Sequence, residues 1–226
     1  MSVQPKVAVK TQLPTIPFPL NTERKPIRTE RLIIRPFRED DLDGMYALRT
    51  QPEVMKYTLV GRIDASKEET GAFMGRFMPP NDAQTYNNII TLASTGELIG
   101  IGGGTSRPES VLGWPEIGYL LKKEYWGQGY ATEFLKAWLD DWWTLPRSVV
   151  DTQVDVQSVN GAGEVPEMIT AFIEESNIGS RRVLEKAGFR EFKRWTEPDN
   201  REGYEREVTL IGFALSSADS KNQRSK

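Results

Sequence analysis

The hydrophobic positions between residues 28 and 215 switch several times between a spacing of two and a helical spacing. Leu32 and Ile34 alternate with arginines and predict a strand that ends at Pro36. The stretch 38–54 begins with acidic residues and carries its apolar residues on one helical face, which predicts a helix. A second helix is predicted over 66–78, because Ser66 and Glu69 have capping-box spacing and two prolines follow.

Three short apolar stretches then predict a β-meander over residues 88–94, 97–103 and 115–123. Thr95 and Gly96 separate the first two stretches and are expected to form a two-residue hairpin turn. The glycines at 100 and 102–104 lie within a strand pattern, and no Lys-Ser/Thr pair follows them. A bulge or close packing therefore explains them better than a phosphate-binding loop.

The second half of the chain predicts two helices and two strands. One helix begins after Gly129 and runs to about residue 143, and the other begins at Ser176 or Asn177 and ends at Gly188. The first of them carries a core-facing apolar stripe formed by Phe134, Leu135, Trp138, Leu139 and Trp142. With strands over 169–176 and 204–215, the element order is β-α-α-β-β-β-α-β-α-β, which predicts a mixed α+β domain.

The ends of the chain differ from this pattern. Residues 1–27 contain five prolines without sustained periodicity and predict an extended, Pro-rich N-terminal arm. Its apolar stretch LPTIPFPL is expected to lie partly against the domain. Residues 216–226 are polar and predict a frayed tail, which leaves 28–215 as one domain.

Composition narrows the classes of function. The 226 residues are 38% apolar and 27% charged, as in ordinary globular proteins, and the net charge of −3 argues against broad nucleic-acid contact. No apolar run approaches the ~18 residues of a membrane span, and no signal-peptide pattern is present, so we expect a cytoplasmic protein without membrane contact.

Two residue types are missing from the sequence. With no His and no Cys, the chain has no disulfide, no thiol nucleophile, no Ser-His dyad and no His or Cys ligand for zinc. We therefore expect no metal, and proton transfer must use Glu, Asp, Tyr, Lys, Ser or the substrate itself.

The stretch KKEYWGQGYATEFLKAW, residues 122–138, combines two glycines with the start of the third predicted helix. The first amides of a helix lack partners and attract anions, and Gly127 and Gly129 allow a large group to approach the backbone. A phosphate or pyrophosphate site and a tight loop that needs glycine for its own geometry are both compatible with this pattern. A Rossmann site is disfavoured, because three consecutive strands precede the motif and no acidic residue ends a second βαβ strand ~20 residues later.

Four stretches in order resemble the GNAT N-acetyltransferases, and within them the branch that contains the ribosomal-protein acetyltransferases RimJ and RimL. They are TERLIIRPFREDDLDGMYAL, GELIGIGGG, YWGQGYATE and ESNIGSRRVLEKAGF, and the resemblance covers about residues 28–215. The family's loop is usually Arg/Gln-x-x-Gly-x-Gly/Ala. Here Gly127 and Gly129 match, but Glu124 departs at the first position.

The resemblance implies the GNAT fold, which is a mixed, mostly antiparallel, twisted sheet that is splayed at its central strands and flanked by helices on both faces. It implies acetyl-CoA as cosubstrate, lying between the strands at 116–121 and 169–174, with its pyrophosphate on the amides of residues 126–131. Asn177 matches the asparagine that binds the pantetheine arm, and it can also cap its helix. The CoA-binding residues implied are Leu120, Leu121, Trp126, Gly127, Gln128, Gly129, Tyr130, Ala131, Thr132 and Asn177. Lys122 and Lys123 either meet a phosphate or are exposed solubility residues.

The family's usual acid is a tyrosine in the last helix, but its place is taken by Leu184. Ser180, one turn earlier, is the alternative acid, unless it only packs or bonds its own helix. Glu116 is the first choice of base, directly or through water, unless it is only a surface residue. Second choices are Glu174 and Glu175, whereas Glu197, Asp199 and Glu202 are candidates for binding a cationic acceptor.

The resemblance implies an acetyl-CoA-dependent N-acetyltransferase that transfers the acetyl group directly to a primary amine, either a protein N-terminus or a small molecule. The alternative is a non-catalytic, regulatory domain that binds acyl-CoA, which Leu184 and Glu124 favour. Residues 148–168 are longer than the family's usual link and are expected to shape the acceptor side or a homodimer contact.

Overall fold

The computed structural model describes residues 5–105, 110–201 and 204–219, so the candidate residue Glu202 lies outside the described part. The strands are β1 (Lys6–Pro14), β2 (Ile27–Arg28), β3 (Leu32–Arg35), β4 (Tyr86–Leu92), β5 (Leu98–Thr105), β6 (Glu116–Leu121), β7 (Arg147–Asp155), β8 (Gly163–Glu164), β9 (Met168–Glu174), β10 (Arg190–Pro198) and β11 (Glu207–Ser216). The α-helices are α1 (Leu42–Arg49), α2 (Pro52–Met55), α3 (Lys67–Met74), α4 (Tyr130–Trp142) and α5 (Ile178–Lys186). Within the three described ranges, no helix is long and apolar enough to cross a membrane.

The chain divides into two compact units, each built from separate segments. The α4 unit comprises Ile16–Thr105 and Gly118–Thr144, and the α5 unit comprises Met1–Thr15, Ser106–Ile117 and Leu145–Lys226. The boundary falls within β6, whose first residues belong to the α5 unit and whose last residues belong to the α4 unit.

The α4 unit contains an antiparallel run of strands in the order β2-β3-β4-β5. Helix α1 packs on α3 and β5, and α4 packs on β2 and β3. The apolar residues of the predicted stripe on α4 are all buried, with no more than 4% of their surface exposed: Phe134, Leu135, Trp138, Leu139 and Trp142. This confirms the prediction that the stripe belongs to the core.

Glycines in β5 permit close packing, as predicted. A methyl group at Gly102 would collide with the ring of Phe134, and one at Gly100 would collide with the carbonyl oxygen of Leu120. The pairing of β4 with β5 also shifts register between Ile90 and Thr91. These glycines therefore serve strand packing and a bulge, not a phosphate.

Two local predictions were wrong. The predicted helix over 38–54 is interrupted, because α1 ends at Arg49 and Pro52 begins a separate helix, α2. Proline is tolerated at the first position of a helix, where the backbone N–H has no partner within the helix. The predicted two-residue turn at Thr95 and Gly96 is longer, since β4 ends at Leu92 and the amide of Leu92 bonds the carbonyl of Glu97 at 2.9 Å.

The α5 unit contains an antiparallel sheet in the order β10-β11-β9. The first residue of β6 joins it in parallel, with Glu116 opposite Thr170. Strand β10 was not predicted from the sequence. A strand is predicted from apolar residues at alternate positions, and in β10 charged residues such as Glu191, Lys193 and Glu197 stand at such positions.

A second, three-stranded sheet in the α5 unit joins the N-terminal segment to residues 147–164. Strand β1 pairs with β7 along its whole length, from Lys6 opposite Asp155 to Pro14 opposite Arg147, and it pairs in parallel with β8. Val9, Trp114 and Val154 form a small apolar core beneath this sheet. Part of the predicted extended arm and part of the insertion-like segment are thus hydrogen-bonded to each other, while the homodimer contact stays a prediction.

Antiparallel pairs predominate, and two parallel pairs, β1 with β8 and β6 with β9, make the pairing mixed. Together with the flanking helices, this confirms the predicted α+β class and mostly antiparallel strand pattern. The splay of the central strands stays a prediction.

Candidate active site

The glycine loop lies in the α4 unit between the end of β6 and the start of α4. A 3₁₀ turn, Lys123–Tyr125, follows β6, and Gly129 is the residue that precedes α4. Gly127 and Gly129 have φ angles of +72° and +85°, which residues other than glycine rarely adopt. A methyl group at Gly127 would meet no atom within 4 Å, so the space above this residue is open.

Consecutive backbone amides in this loop have no partner in the described chain. They are the amides of Gly127, Gln128, Gly129, Tyr130, Ala131 and Thr132. Helix geometry explains the last three, because the first amides of a helix have no carbonyl one turn before them. Exposed amides at the positive end of a helix dipole form an anion-binding surface.

Trp126 takes part in the loop differently from its neighbours. Its amide donates to the carbonyl oxygen of Lys123 at 3.1 Å, and its indole Nε1 donates to the carbonyl oxygen of Leu121 at 2.7 Å. The predicted role of the Trp126 amide in pyrophosphate binding therefore competes with an internal bond. Leu120, the other β6 residue that the resemblance assigns to CoA, is half-buried near the end of the strand.

The two lysines before the loop are ion-paired. Lys122 is only 8% exposed and its Nζ lies 3.2 Å from Oε1 of Glu97, so the expectation of an exposed lysine is wrong at this position. Lys123 is exposed and pairs with Glu53. Both ammonium groups thus have carboxylate partners in the α4 unit.

Asn177 and Ser180 lie in the α5 unit at the start of α5. The side-chain oxygen of Asn177 accepts a hydrogen bond from the amide of Ser180 at 3.1 Å, which confirms the predicted helix cap. Gly188 follows the last turn with a φ of +92°, as predicted for a helix stop. The role of Asn177 toward a pantetheine arm stays a prediction, as does the role of Ser180 as acid.

Leu184 is completely buried in the α5 unit. The position that carries the family's usual tyrosine is therefore part of the core here, and its side chain offers neither a proton nor a surface. Ser180, one turn earlier on α5, is half-buried and carries a hydroxyl group.

Glu116 is half-buried at the start of β6. Burial raises the pKa of its carboxyl group to about 7, and no charged neighbour contributes to this shift. A carboxyl group that titrates near neutrality is suited to proton transfer at physiological pH.

The other acidic candidates are held by arginines within the α5 unit. Glu174 pairs with Arg201 at 2.9 Å and with Arg206 at 3.2 Å, and Asp199 pairs with the same two arginines. Hydrogen bonding from Arg201 lowers the pKa of Asp199 to about 2. Although burial opposes the change, bonds from Ser176 and Arg201 lower the pKa of Glu174.

Two further acidic candidates also have partners: Glu175 pairs with Arg194, and Glu197 is 5% exposed and accepts a bond from Trp195. Because internal groups already neutralise or enclose them, these side chains are poor candidates for a base or a cation site. Within the described ranges, no group of three or more acidic side chains is arranged to hold a metal ion.

Sequence reasoning missed the side chains that hold the loop. Gln51 accepts a bond from the amide of Lys123 at 2.8 Å and donates to Oε2 of Glu124 at 3.0 Å. Arg31 donates to the carbonyl oxygen of Gln128 at 3.0 Å. These partners lie more than 70 residues apart in sequence, so no local spacing reveals them.

The comparison with known families agrees with this geometry. The sequence model described as "Acetyltransferase (GNAT) domain" matches residues 31–190, which include the glycine loop, α4, Glu116 and α5. The chain belongs to the GNAT acetyltransferase family.

Individual relatives of this GNAT chain are distant. It is 30% identical over 113 residues to a protein named uncharacterized N-acetyltransferase p20 from Bacillus licheniformis. The match covers 50% of this chain and 62% of that relative, so the chain matches less than two thirds of the relative's length.

Solved structures share the fold. RimJ of Mycobacterium smegmatis, in complex with CoA-disulfide, has a TM-score of 0.63 and 20% identity over 89% of this chain and 92% of its own. Spermidine N-acetyltransferase of Vibrio cholerae, in complex with CoA and spermine, has a TM-score of 0.62 and 16% identity over 86% of this chain and 100% of its own. At these identities the similarity establishes the fold of this GNAT chain and nothing finer.

Proposed function

We propose that this chain is an acetyl-CoA-dependent N-acetyltransferase that transfers an acetyl group directly to a primary amine. The observation that carries the proposal is the row of unpaired amides from Gly127 to Thr132 within a GNAT domain. Such amides fit the diphosphate of coenzyme A, because they combine hydrogen-bond donors with the positive end of the α4 dipole. The CoA complexes of the two structural relatives support the same cosubstrate here.

The chemistry assigns one proton transfer to each of two side chains. Glu116 accepts the proton that the amine loses as its nitrogen bonds to the thioester carbonyl carbon. The hydroxyl of Ser180 donates a proton to the thiolate as the carbon–sulfur bond breaks, and it regains a proton from solvent. The acetyl group passes directly to nitrogen, so no acyl-enzyme forms.

The acceptor class is proposed as an amine that need not be a polycation. Of the acidic side chains considered for a cationic acceptor, the two that the structure describes are already engaged: Asp199 binds Arg201 and Arg206, and Glu197 is 5% exposed and accepts a bond from Trp195. A protein N-terminus, as expected from the RimJ/RimL-like motifs, or a small monoamine therefore suits the chain better than a polyamine.

A second candidate function is a regulatory domain that binds acyl-CoA without turnover. Leu184 favours it, because this completely buried residue stands where the family's usual acid, a tyrosine, is expected. The two functions share the CoA site and differ only in whether an amine releases CoA.

The test is a thiol assay of CoA release from acetyl-CoA across a panel of N-terminal peptides, monoamines and polyamines, with mass spectrometry of the products. Amine-dependent release of CoA, together with an acetylated product, supports the transferase. Calorimetric binding of CoA without release on any amine supports the regulatory domain, and no binding of CoA contradicts both functions.

A further inference from the structure

The side chain of Arg31 contacts three successive parts of the glycine loop and α4. Its Nη1 donates to the carbonyl oxygen of Gln128 at 3.0 Å, and its Nε donates to Oε2 of Glu133 at 2.7 Å. Its guanidinium carbon lies 4.4 Å from the centre of the Tyr130 ring. One residue immediately before β3 therefore holds both the loop and the first turn of α4.

Glu133 completes this arrangement from the helix side. Its carboxylate accepts bonds from the hydroxyl of Thr29 at 2.6 Å and from the backbone amide of Arg31 at 3.1 Å, besides the ion pair with the guanidinium. Burial alone would raise the pKa of Glu133, but the bonds from Thr29 and Arg31 lower it, so the carboxylate stays ionised. Arg31 is thereby fixed in one orientation rather than free to sample several.

The bond to Gln128 determines the direction of a particular amide. In a trans peptide the carbonyl oxygen and the following N–H point in opposite directions. When Arg31 holds the oxygen of Gln128, the amide of Gly129 must point away from Arg31. Without this bond the peptide could turn more easily, because Gly129, which follows it with a φ of +85°, has no side chain to restrict that angle.

We propose that Arg31 is a positioning residue for CoA: it holds the Gln128 carbonyl so that the Gly129 amide faces the diphosphate. This inference rests on the proposed function, since it assumes that CoA binds the loop. The competing role is that of a positive charge that attracts phosphate. The two roles differ in what they require. Positioning requires the several N–H donors of the guanidinium and its partner Glu133, whereas attraction of a phosphate requires only a positive charge.

The experiment measures CoA binding by calorimetry and acetyl-CoA kinetics for wild type, Arg31→Lys, Arg31→Met and Glu133→Gln. Positioning predicts that both Arg31 variants weaken CoA binding about tenfold, which corresponds to about 1.4 kcal/mol. It also predicts a matching rise in KM for acetyl-CoA with kcat changed less than about twofold, because the loop binds a remote part of the substrate.

Glu133→Gln distinguishes the two roles, because they predict opposite changes in CoA affinity. Removal of a negative charge near an anion site strengthens binding if long-range charge dominates. It weakens binding if Glu133 serves to orient Arg31. Lys67→Met is the matched control, because Lys67 forms an exposed ion pair with Asp43 in the same unit and has no contact with the loop in the described chain.

Each result has one meaning. Weaker binding in Arg31→Lys and Glu133→Gln, with Lys67→Met unchanged, supports the positioning role, and these two variants decide the matter if Arg31→Met does not fold. Wild-type affinity in Arg31→Lys, or tighter binding in Glu133→Gln, overturns it. Absence of CoA binding by the wild-type protein instead contradicts the proposed function.

Discussion

Burial alone raises the pKa of Glu116 to about 7, so the surroundings of this side chain determine whether it can act as a base near neutral pH. The sequence singled it out because it opens a strand, but the shift depends on half-burial beside β9, which no local pattern encodes. Two other candidates in the same unit, Glu174 and Asp199, pair with arginines, and their pKa values are lowered. Among the acidic candidates, environment rather than residue type therefore selects the base.

We predict that kcat/KM rises with pH through a limb centred near pH 7, because Glu116 must be deprotonated to accept a proton. In Glu116→Gln the limb disappears and the rate at pH 8 falls by about 10² or more. The measurement is a pH–rate profile at limiting substrate concentrations. An unchanged limb in the variant assigns the base elsewhere.

Stability provides the control for this variant. The folded pKa of Glu116 lies above the ordinary value of 4.5, so between about pH 4.5 and 7 the folded state holds the proton more tightly than the unfolded state. The free energy of unfolding therefore falls as pH rises through this window, and Glu116→Gln should lack this contribution. A variant that is slow but at least as stable as wild type at pH 8 has lost chemistry, not folding.

A second prediction at this scale compares Gly127→Ala with Gly96→Ala. Both glycines belong to the α4 unit, have φ angles of +72° and +76°, and have nothing within 4 Å of an added methyl group. Both substitutions should therefore destabilise the protein by a similar amount, about 1–2 kcal/mol, in denaturant titrations. Only Gly127→Ala should weaken CoA binding, by about tenfold, because its methyl group covers the unpaired amides. Equal CoA affinity of the two variants would argue against the loop as the binding site.

At the scale of elements, α5 shows how one residue can serve two purposes. Asn177 closes the first turn of the helix through its side-chain oxygen, while the family resemblance also assigns this residue to the pantetheine arm. Helix α4 begins differently, at a glycine with no side chain to cap it. The amides at the start of α4 thus stay open, whereas one at the start of α5 is satisfied internally.

We predict that Asn177→Ala lowers the free energy of unfolding by about 1 kcal/mol, and that Asn177→Ser lowers it by only a few tenths. Serine keeps an oxygen for the amide of Ser180 but lacks the side-chain nitrogen. If that nitrogen binds the pantetheine arm, KM for acetyl-CoA rises in both variants, and calorimetry with CoA shows the same loss. A rise confined to Asn177→Ala would mean that the residue only caps the helix.

At the scale of the molecule, the sequence predicted well wherever a signal was local and repeated. The stripe on α4, the caps of α3 and α5 and the glycine loop are close to their predicted places, because each depends on neighbours within a few residues. Strand β1 was missed although Val7, Val9 and Leu13 alternate with polar residues, because the prolines that follow suggested an arm. Its partner β7 lies about 140 residues away, as Val9 opposite Thr152 illustrates, and such pairing leaves no local trace.

The buried pair of Lys193 and Asp155 is an interaction of this long-range kind. Lys193 on β10 is 6% exposed and Asp155 at the end of β7 is fully buried, so the pair links the three-stranded sheet to the β10-β11-β9 sheet within the α5 unit. Asp155 also accepts a bond from the amide of Gln157 at 2.9 Å.

We predict that Lys193→Met lowers the free energy of unfolding by about 3–5 kcal/mol, because it leaves the charge of Asp155 buried without its partner. The adjacent Arg194 is the matched control: it pairs with Glu191 and Glu175 at the surface, so Arg194→Met should change stability by less than about 1 kcal/mol. Adding Asp155→Asn to Lys193→Met should restore part of the loss, since the amide oxygen still accepts the bond from Gln157 without a buried charge. Urea titrations of the four proteins measure these differences, and a loss in Lys193→Met no larger than that in Arg194→Met would mean that the pair contributes no more than a surface contact.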